Sequence, residues 1–260
     1  MVEPVEILFL GTGTSAGVPM IGCHCAVCSS TDSRDKRTRP SVVISQGDTR
    51  VLIDTSPELR LQCVANQVDR IHAVVYTHAH ADHIMGLDDV RRFNAIQGAP
   101  LEVWAEAKTF ESIRQCFGYA FRAPSPETKL FRPHLIPKEI DGPFQIGPMT
   151  FQPIPLVHGE VRVLGFRVGN LAYCTDVNEI PESSYPLLEN LDVLVLDALQ
   201  YKKHATHFSI DEAIDQSRRI KPRRTLFTHI AHALGHEETN RVMPEGIELA
   251  YDGLIVRTNS

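Results

Sequence analysis

The sequence predicts an α/β protein in which two sheets pack together with helices on their outer sides. Short β-type runs recur along the whole chain, and helical patterns sit between several of them. Connections such as the one from Val163 to Asp176 read as hairpins, which argues against a parallel doubly wound sheet.

VEILFLG is the first strand, and the glycine-rich GTGTSAGVP behind it reads as a tight turn. It is not a P-loop, because no Gly-Lys-Ser/Thr ending follows. Gly11, Gly13 and Gly17 also miss the dinucleotide spacing, and a cysteine cluster stands where a helix is required. SVVIS and RVLIDT are the next strands, ahead of a helical pattern over Pro57–Asn66. IHAVVYTH and LEVWA follow, with helical patterns at Asp88–Ile96 and Lys108–Phe117. From about Phe117 to Pro143, including FRAPSPETKLFRPH, no motif is recognisable; a cover over the site or a dimer contact is expected there. MTFQPIPLVH, VLGFRVG, LAYCTD and LDVLVLDA are then strands in close succession. SIDEAIDQSRRI opens on Ser209 with Glu212 three positions later, the signature of a capped helix start. RTLFTH, a helical pattern over His236–Arg241, and LIVRT end the chain. No linker, low-complexity tract or repeat interrupts it, so residues 1–260 are expected to form a single domain.

Composition narrows the function. Apolar residues make up 43% and charged residues 22%, the balance of an ordinary globular protein. A net charge of −6 offers no broad basic field for long nucleic acid, though a small anionic substrate needs only a few local cations. The N-terminus shows no basic leader, and no run approaches the ~20 apolar residues of a spanning helix, so a cytoplasmic protein without a membrane association is expected. Cys63, Cys116 and Cys174 lie in apolar surroundings and read as small core residues.

Chemistry collects where β-runs end: Thr77-His78 after IHAVVY, His158 after FQPIPLV, Asp176 after LAYCT and His229 after RTLFT. Strand ends gather along one sheet edge, so these residues can converge. The stretch THAHADH places His78, His80, Asp82 and His83 within six positions. Packing histidines this densely has no structural benefit that Ser or Asn would not supply. Imidazole nitrogens and carboxylate oxygens together suit zinc, manganese or iron.

His78-Ala79-His80-Ala81-Asp82-His83 resembles the H-x-H-x-D-H signature of the metallo-β-lactamase fold superfamily, and His158, Asp176 and His229 follow in the order that superfamily uses. The resemblance spans Phe9 to Asp252. It implies a four-layer αββα sandwich of two mixed sheets flanked by helices. It also implies two divalent metal ions, zinc or manganese: His78, His80 and His158 on one, Asp82, His83 and His229 on the other, and Asp176 bridging.

GCHCAVC crowds Cys23, Cys25 and Cys28 together, which favours zinc over disulfides. His24 is the local fourth candidate, but its ring must point away if both neighbours bind. His232, three residues after His229, is the better one. With GTGTSAGVP, this arrangement is similar to the PhnP-like phosphodiesterase branch, whose C-x-C-x-x-C loop and T-H-x-x-H histidine hold a structural zinc. The pyrroloquinoline-quinone protein PqqB has a similar loop but departs from the full H-x-H-x-D-H set, all of which is present here.

The resemblance implies a hydrolase of small or cyclic phosphodiesters, nucleotide-like or ribosyl phosphates, attacked by metal-activated water. Asp82 is placed to orient that water. His207 of KKHATHFSI matches the PhnP-type histidine and is expected to protonate the leaving oxygen, while His204 beside Lys202 and Lys203 attracts phosphate or is simply solvated. His72, His134 and His236 read as surface or structural residues. The competing readings are a tRNA 3′-processing endonuclease, a glyoxalase-type thioesterase or lactonase, and a PqqB-like carrier with no catalysis. A homodimer is compatible with all of them.

Overall fold

The structure, a computed structural model, describes residues 3–122 and 132–258. In chain order the elements are β1 (Glu6–Gly11), β2 (Ser41–Gln46), β3 (Thr49–Ile53), α1 (Leu59–Ala65), β4 (Ala73–Val75), α2 (Ala81–Ile84), α3 (Arg91–Gln97), β5 (Leu101–Ala105), α4 (Ala107–Phe117) and β6 (Leu135–Glu139). They continue with β7 (Phe144–Ile146), β8 (Met149–His158), β9 (Val161–Val168), β10 (Leu171–Cys174), β11 (Val193–Asp197), α5 (Ile210–Ile220), β12 (Arg224–Thr228), α6 (His236–Asn240), β13 (Ile247–Leu249) and β14 (Ile255–Arg257).

Two seven-stranded sheets result, ordered β14-β1-β2-β3-β4-β5-β6 and β13-β12-β11-β10-β9-β8-β7. Both are mixed. In the first, pairing is antiparallel from β14 to β3 and parallel from β3 to β6. The second repeats that design, antiparallel from β7 to β10 and parallel from β10 to β13. The parallel strands present their C-terminal ends on one rim, which is where ligand-bearing loops collect in such sheets.

Between the sheets lies a dry core in which Phe9, Ile44 and Val75 of one face Phe151, Phe166, Tyr173 and Val195 of the other. Trp104, Phe144 and Phe151 stack at centroid separations of 4.5 and 5.2 Å, a geometry that adds to simple area burial. Outside the first sheet, Leu59, Phe93, Phe110 and Ile113 cover it from the helices; outside the second, Ile210 and Ala213 of α5 do the same. Helix–sheet–sheet–helix layering is therefore the observed architecture, as the sequence led us to expect. The capping box of α5 is present, with the Glu212 amide donating to Ser209 Oγ and the Ser209 amide to Glu212 Oε2.

Gly11 ends β1 because nothing larger fits: a Cβ there would stand 2.0 Å from the Arg39 carbonyl oxygen. The chain beyond it runs beside the segment after β12, where Thr14 donates to the Ile230 carbonyl and Ile230 to that of Thr12. Behind this junction lies a buried polar bracket. The Arg37 guanidinium donates to Thr12 Oγ1 and the Ala250 carbonyl, and lies 3.2 Å from His236 Nδ1. Burial, helped by Arg37, pushes the His236 pKa down to about 4, so its ring is a neutral acceptor. His236 is thus structural, whereas His72 and His134 are exposed.

One expectation needs revision. Cys63 and Cys174 are buried, but Cys116 is exposed, because it falls off the Phe110–Ile113–Phe117 stripe by which α4 contacts the sheet. Residues 123–131, the heart of the stretch read as a cover or dimer contact, lie outside the described residues. Its flanks are described: the end of α4, and β6 as an edge strand. No helix among the described residues is long and apolar enough to cross a membrane.

Candidate metal centre

Every metal-ligand candidate at the strand ends reaches the same rim. β4 delivers His78 and His80, and α2, starting immediately after His80, delivers Asp82 and His83. β8 ends on His158, while Asp176 follows β10 and His229 follows β12. Asp176 (φ 55°) and His229 (φ 60°) adopt left-handed backbone conformations, as does Asp54 after β3 (φ 61°). Non-glycine residues rarely do so, and such conformations gather at functional sites where the surroundings enforce them. Here the turn swings each side chain out of its strand.

The donor atoms form two groups. His78, His80 and His158 are one, and Asp82, His83, Asp176 and His229 are the other, with the donor atoms of each within 4.8 Å of one another. Asp176 stands between them: its Oδ2 is 3.2 Å from His83 Nε2, and its Oδ1 is 3.3 Å from His229 Nε2 and 3.9 Å from His158 Nε2. Asp82 Oδ2 lies 3.5 and 3.6 Å from His83 and His229 Nε2. Only His80 of the seven is exposed.

The imidazoles are oriented from behind. His83 Nδ1 donates to Asp54 Oδ2 at 2.7 Å, His158 Nδ1 to the Thr206 carbonyl at 2.7 Å, and His78 Nδ1 to Thr77 Oγ1 at 3.0 Å. Asp54 also takes the Thr77 amide and hydroxyl, at 2.9 and 2.8 Å. With Nδ1 engaged, Nε2 is the nitrogen left to bind, which is how metal-ligating histidines are ordinarily held. His78 Nε2, His83 Nε2 and His229 Nε2 are buried and have no hydrogen-bond partner among the described residues. Orphaned buried nitrogens of this kind are costly unless a cation takes them.

Charge makes the same demand. Burial alone would raise the carboxyls of Asp82 and Asp176, yet both are held well below the usual range, chiefly by His229 and His83. Burial works against a proton on His229, but Asp176 and Asp82 hold its pKa up at about 9. The pocket requires positive charge beside its acids, and divalent cations fit this donor set.

His207 lies beside this centre. It is buried, its Nδ1 is 2.6 Å from Asp197 Oδ2, and its ring stacks on His229 at 4.5 Å. His204, in contrast, is exposed. Sequence reasoning missed Asp54 and Asp197. Both obey the rule that found the others, since each terminates a β-run, RVLID and LDVLVLD.

A second cluster forms where the N-terminal loop meets the segment after β12. His232 Nδ1 lies 3.2 Å from Cys23 Sγ and 3.4 Å from Cys25 Sγ, and Cys28 completes a set of four donors within 4.8 Å. The Cys28 amide and His232 pull the Cys25 thiol down to about 6, so it is a thiolate at neutral pH. His232 therefore takes the fourth corner, and His24 stays outside the cluster. Four donors close the coordination sphere of zinc, leaving nothing for substrate. In a Cys25→Ala variant, zinc content should fall by about one equivalent with a lower melting temperature; unchanged stoichiometry by elemental analysis would refute the site.

Comparison with known proteins places this geometry. The family described as Beta-lactamase superfamily domain matches residues 49–230. A solved structure titled as a new diphosphatase from the PhnP family superposes with a TM-score of 0.92 at 42% identity, covering 99% of this chain and 98% of that one. Zinc-bound PqqB from Methylobacterium extorquens gives 0.77 at 21% identity, over 96% and 99% of the two chains, a likeness of fold. Among curated proteins, one named octanoyltransferase from Porphyromonas gingivalis is 39% identical over 96% of this chain. The chain spans about half (51%) of the length of that relative.

Proposed function

Since the chain belongs to the beta-lactamase superfamily, in its PhnP-like branch, we propose that it is a metal-dependent hydrolase of small or cyclic phosphodiesters. The observation that carries this reading is the convergence of His78, His80, His158, Asp82, His83, Asp176 and His229 into two adjoining donor groups that share Asp176. We read residues 1–260 as one catalytic domain, cytoplasmic, with the thiolate cluster holding a structural zinc.

His78, His80 and His158 would hold one cation, Asp82, His83 and His229 the other, and Asp176 both. When bound, such a pair supplies a water acidic enough to lose its proton near neutral pH, and positive charge against the phosphoryl oxygens. The chain's own residues do the rest. Asp54 and Thr77 fix the His83 and His78 rings, and the Thr206 carbonyl that of His158. Asp82 lies where it can orient the attacking water or take its proton. Asp197 holds His207 by Nδ1, so Nε2 carries the proton delivered to the departing alkoxide. Lys202, exposed near His204, adds local positive charge for a phosphate.

One finding favours a neighbouring substrate class. The PhnP-family relative of 42% identity is titled a diphosphatase, and a phosphoanhydride presents the same disubstituted phosphorus to attack. The octanoyltransferase name carries no weight here, because this chain matches only half of that protein. A panel of bis-nitrophenyl phosphate, a ribose cyclic phosphate, a dinucleoside diphosphate and a thioester tests the reading. Phosphorus substrates should turn over, stop with chelator, and recover with manganese or zinc. Thioester turnover alone would overturn it.

A further inference from the structure

We infer that a polar hollow beside the metal centre binds the nucleobase of a nucleotide ester and selects bases that carry an exocyclic amine. The inference rests on the phosphodiesterase reading above and names the part of the substrate that the metal ligands leave unspecified. The hollow, about 210 Å³, opens between the ends of β5 and β6 and the β8–β9 hairpin. Its position follows from the strand pairing. β4 and β5 run parallel with Val75 opposite Trp104, so Glu106 leaves its strand beside the Thr77–His78 turn. The Leu164 amide donates to the Thr77 carbonyl at 3.1 Å, and Arg162 stands opposite Val157, the neighbour of His158. Glu106, Leu164 and Arg162 all line the hollow. A phosphodiester held at His78, His80 and His158 has two organic arms, and this edge receives one of them.

Size and chemistry choose what sits there. A hollow of that volume seats one ring system rather than a whole nucleotide. Pro153, Pro155 and Leu164 supply an apolar wall against which the face of a flat ring packs, and Glu106, Asp141 and Arg162 supply the polar edge. Two acids against one cation leave a net negative edge that repels a second phosphate. Carboxylate oxygens accept hydrogen bonds and donate none, so they match amines rather than carbonyls. Both acids are spared structural work. Glu106 occupies the N-cap of α4, yet its side chain makes no cap hydrogen bond; it faces Arg162 of the other sheet at 3.4 Å. Asp141 has no hydrogen bond or ion pair among the described residues. Adenine, cytosine and guanine offer an amine to such acids, and uracil has a carbonyl in its place.

Turnover of the nitrophenyl phosphodiesters of adenosine, uridine and methanol by the metal-loaded protein is the test. All three share a leaving group, so the chemical step is common to them. The adenosine ester should exceed the uridine ester in kcat/KM by about tenfold or more. The margin stays below the ~10⁴ of a fully enclosed polar site, because the Arg162 side chain is 65% exposed. Glu106→Gln should bring the ratio towards one, since a glutamine amide also donates to a carbonyl. AMP should outbind UMP in calorimetry, a readout independent of turnover. Equal rates for the adenosine and uridine esters overturn the inference, and so does a ratio that Glu106→Gln leaves unchanged. If both nucleoside esters equally exceed the methyl ester, the hollow binds ribose instead. Those results leave the phosphodiesterase reading intact; loss of turnover on all three esters, with a thioester cleaved, removes both.

Discussion

Changing Asp176 to asparagine should lower phosphodiester turnover by about 10³-fold, more than loss of an outer hydrogen-bond partner, which typically costs ~10–100-fold. Asparagine is the informative replacement. Asp176 sits at φ 55°, a conformation Asn tolerates and alanine resists, so the fold should survive while the charge is lost. The size of the effect follows from position. Alone among the described carboxylates, Asp176 reaches both donor groups, lying 3.2 Å from His83, 3.3 Å from His229 and 3.9 Å from His158. Without its charge, Asp82 is the one carboxylate left in the donor group it forms with His83 and His229. Metal content of the purified variant should drop below two equivalents at the active centre, with the cysteine-bound zinc retained. Asp54→Asn provides the scale: it still accepts from Thr77 but no longer balances His83, so it should lose ~10–100-fold. If the two variants lose equally, and Asp176→Asn keeps its full metal complement, Asp176 does not join two ions.

Much of this centre was legible because the chemistry sits at strand ends, and strand ends are where a run of β-branched and apolar residues stops. His158, Asp176 and His229 follow that rule in the sequence itself. Asp54 and Asp197 satisfy it equally and were passed over, since a lone carboxylate after a strand looks like any turn residue. Their roles appear only when His83 and His207 arrive at 2.7 and 2.6 Å. Of the fold, the long strands and every helix but α2 were readable by period. β7 and β13, three residues each, are too short to show alternation, and the four residues of α2 too short to show a helical period. β6, LIPKE, hides behind its proline and charges, which suit the edge it occupies. Cys116 was misread from its apolar neighbours, although helical spacing from Phe110 already directs it away from the sheet.

The largest effect outside the metal ligands belongs to His207. A His207→Ala variant should lose about 10²–10⁴-fold on a substrate with a poor alkoxide leaving group, the range for a positioned general acid. On an activated nitrophenyl ester, whose leaving oxygen needs no proton, it should lose little. The geometry assigns this selectivity to one nitrogen. Asp197, fully buried, accepts from His207 Nδ1 and from the Val177 amide, so the carboxylate fixes the ring and leaves Nε2 for exchange. Contact with the ring of His158 at 4.6 Å and stacking on His229 at 4.5 Å keep it at the rim. The same stacking creates the rival explanation, that removing His207 merely loosens those two residues. Leaving-group dependence separates the two, because a disturbed metal centre slows both substrates alike. Equal losses, or a fall in bound metal alongside them, would remove His207 from proton transfer and make it a support for its neighbours. Asp197→Asn should repeat the selective pattern with a smaller amplitude, since the ring remains but its orientation is no longer enforced by charge.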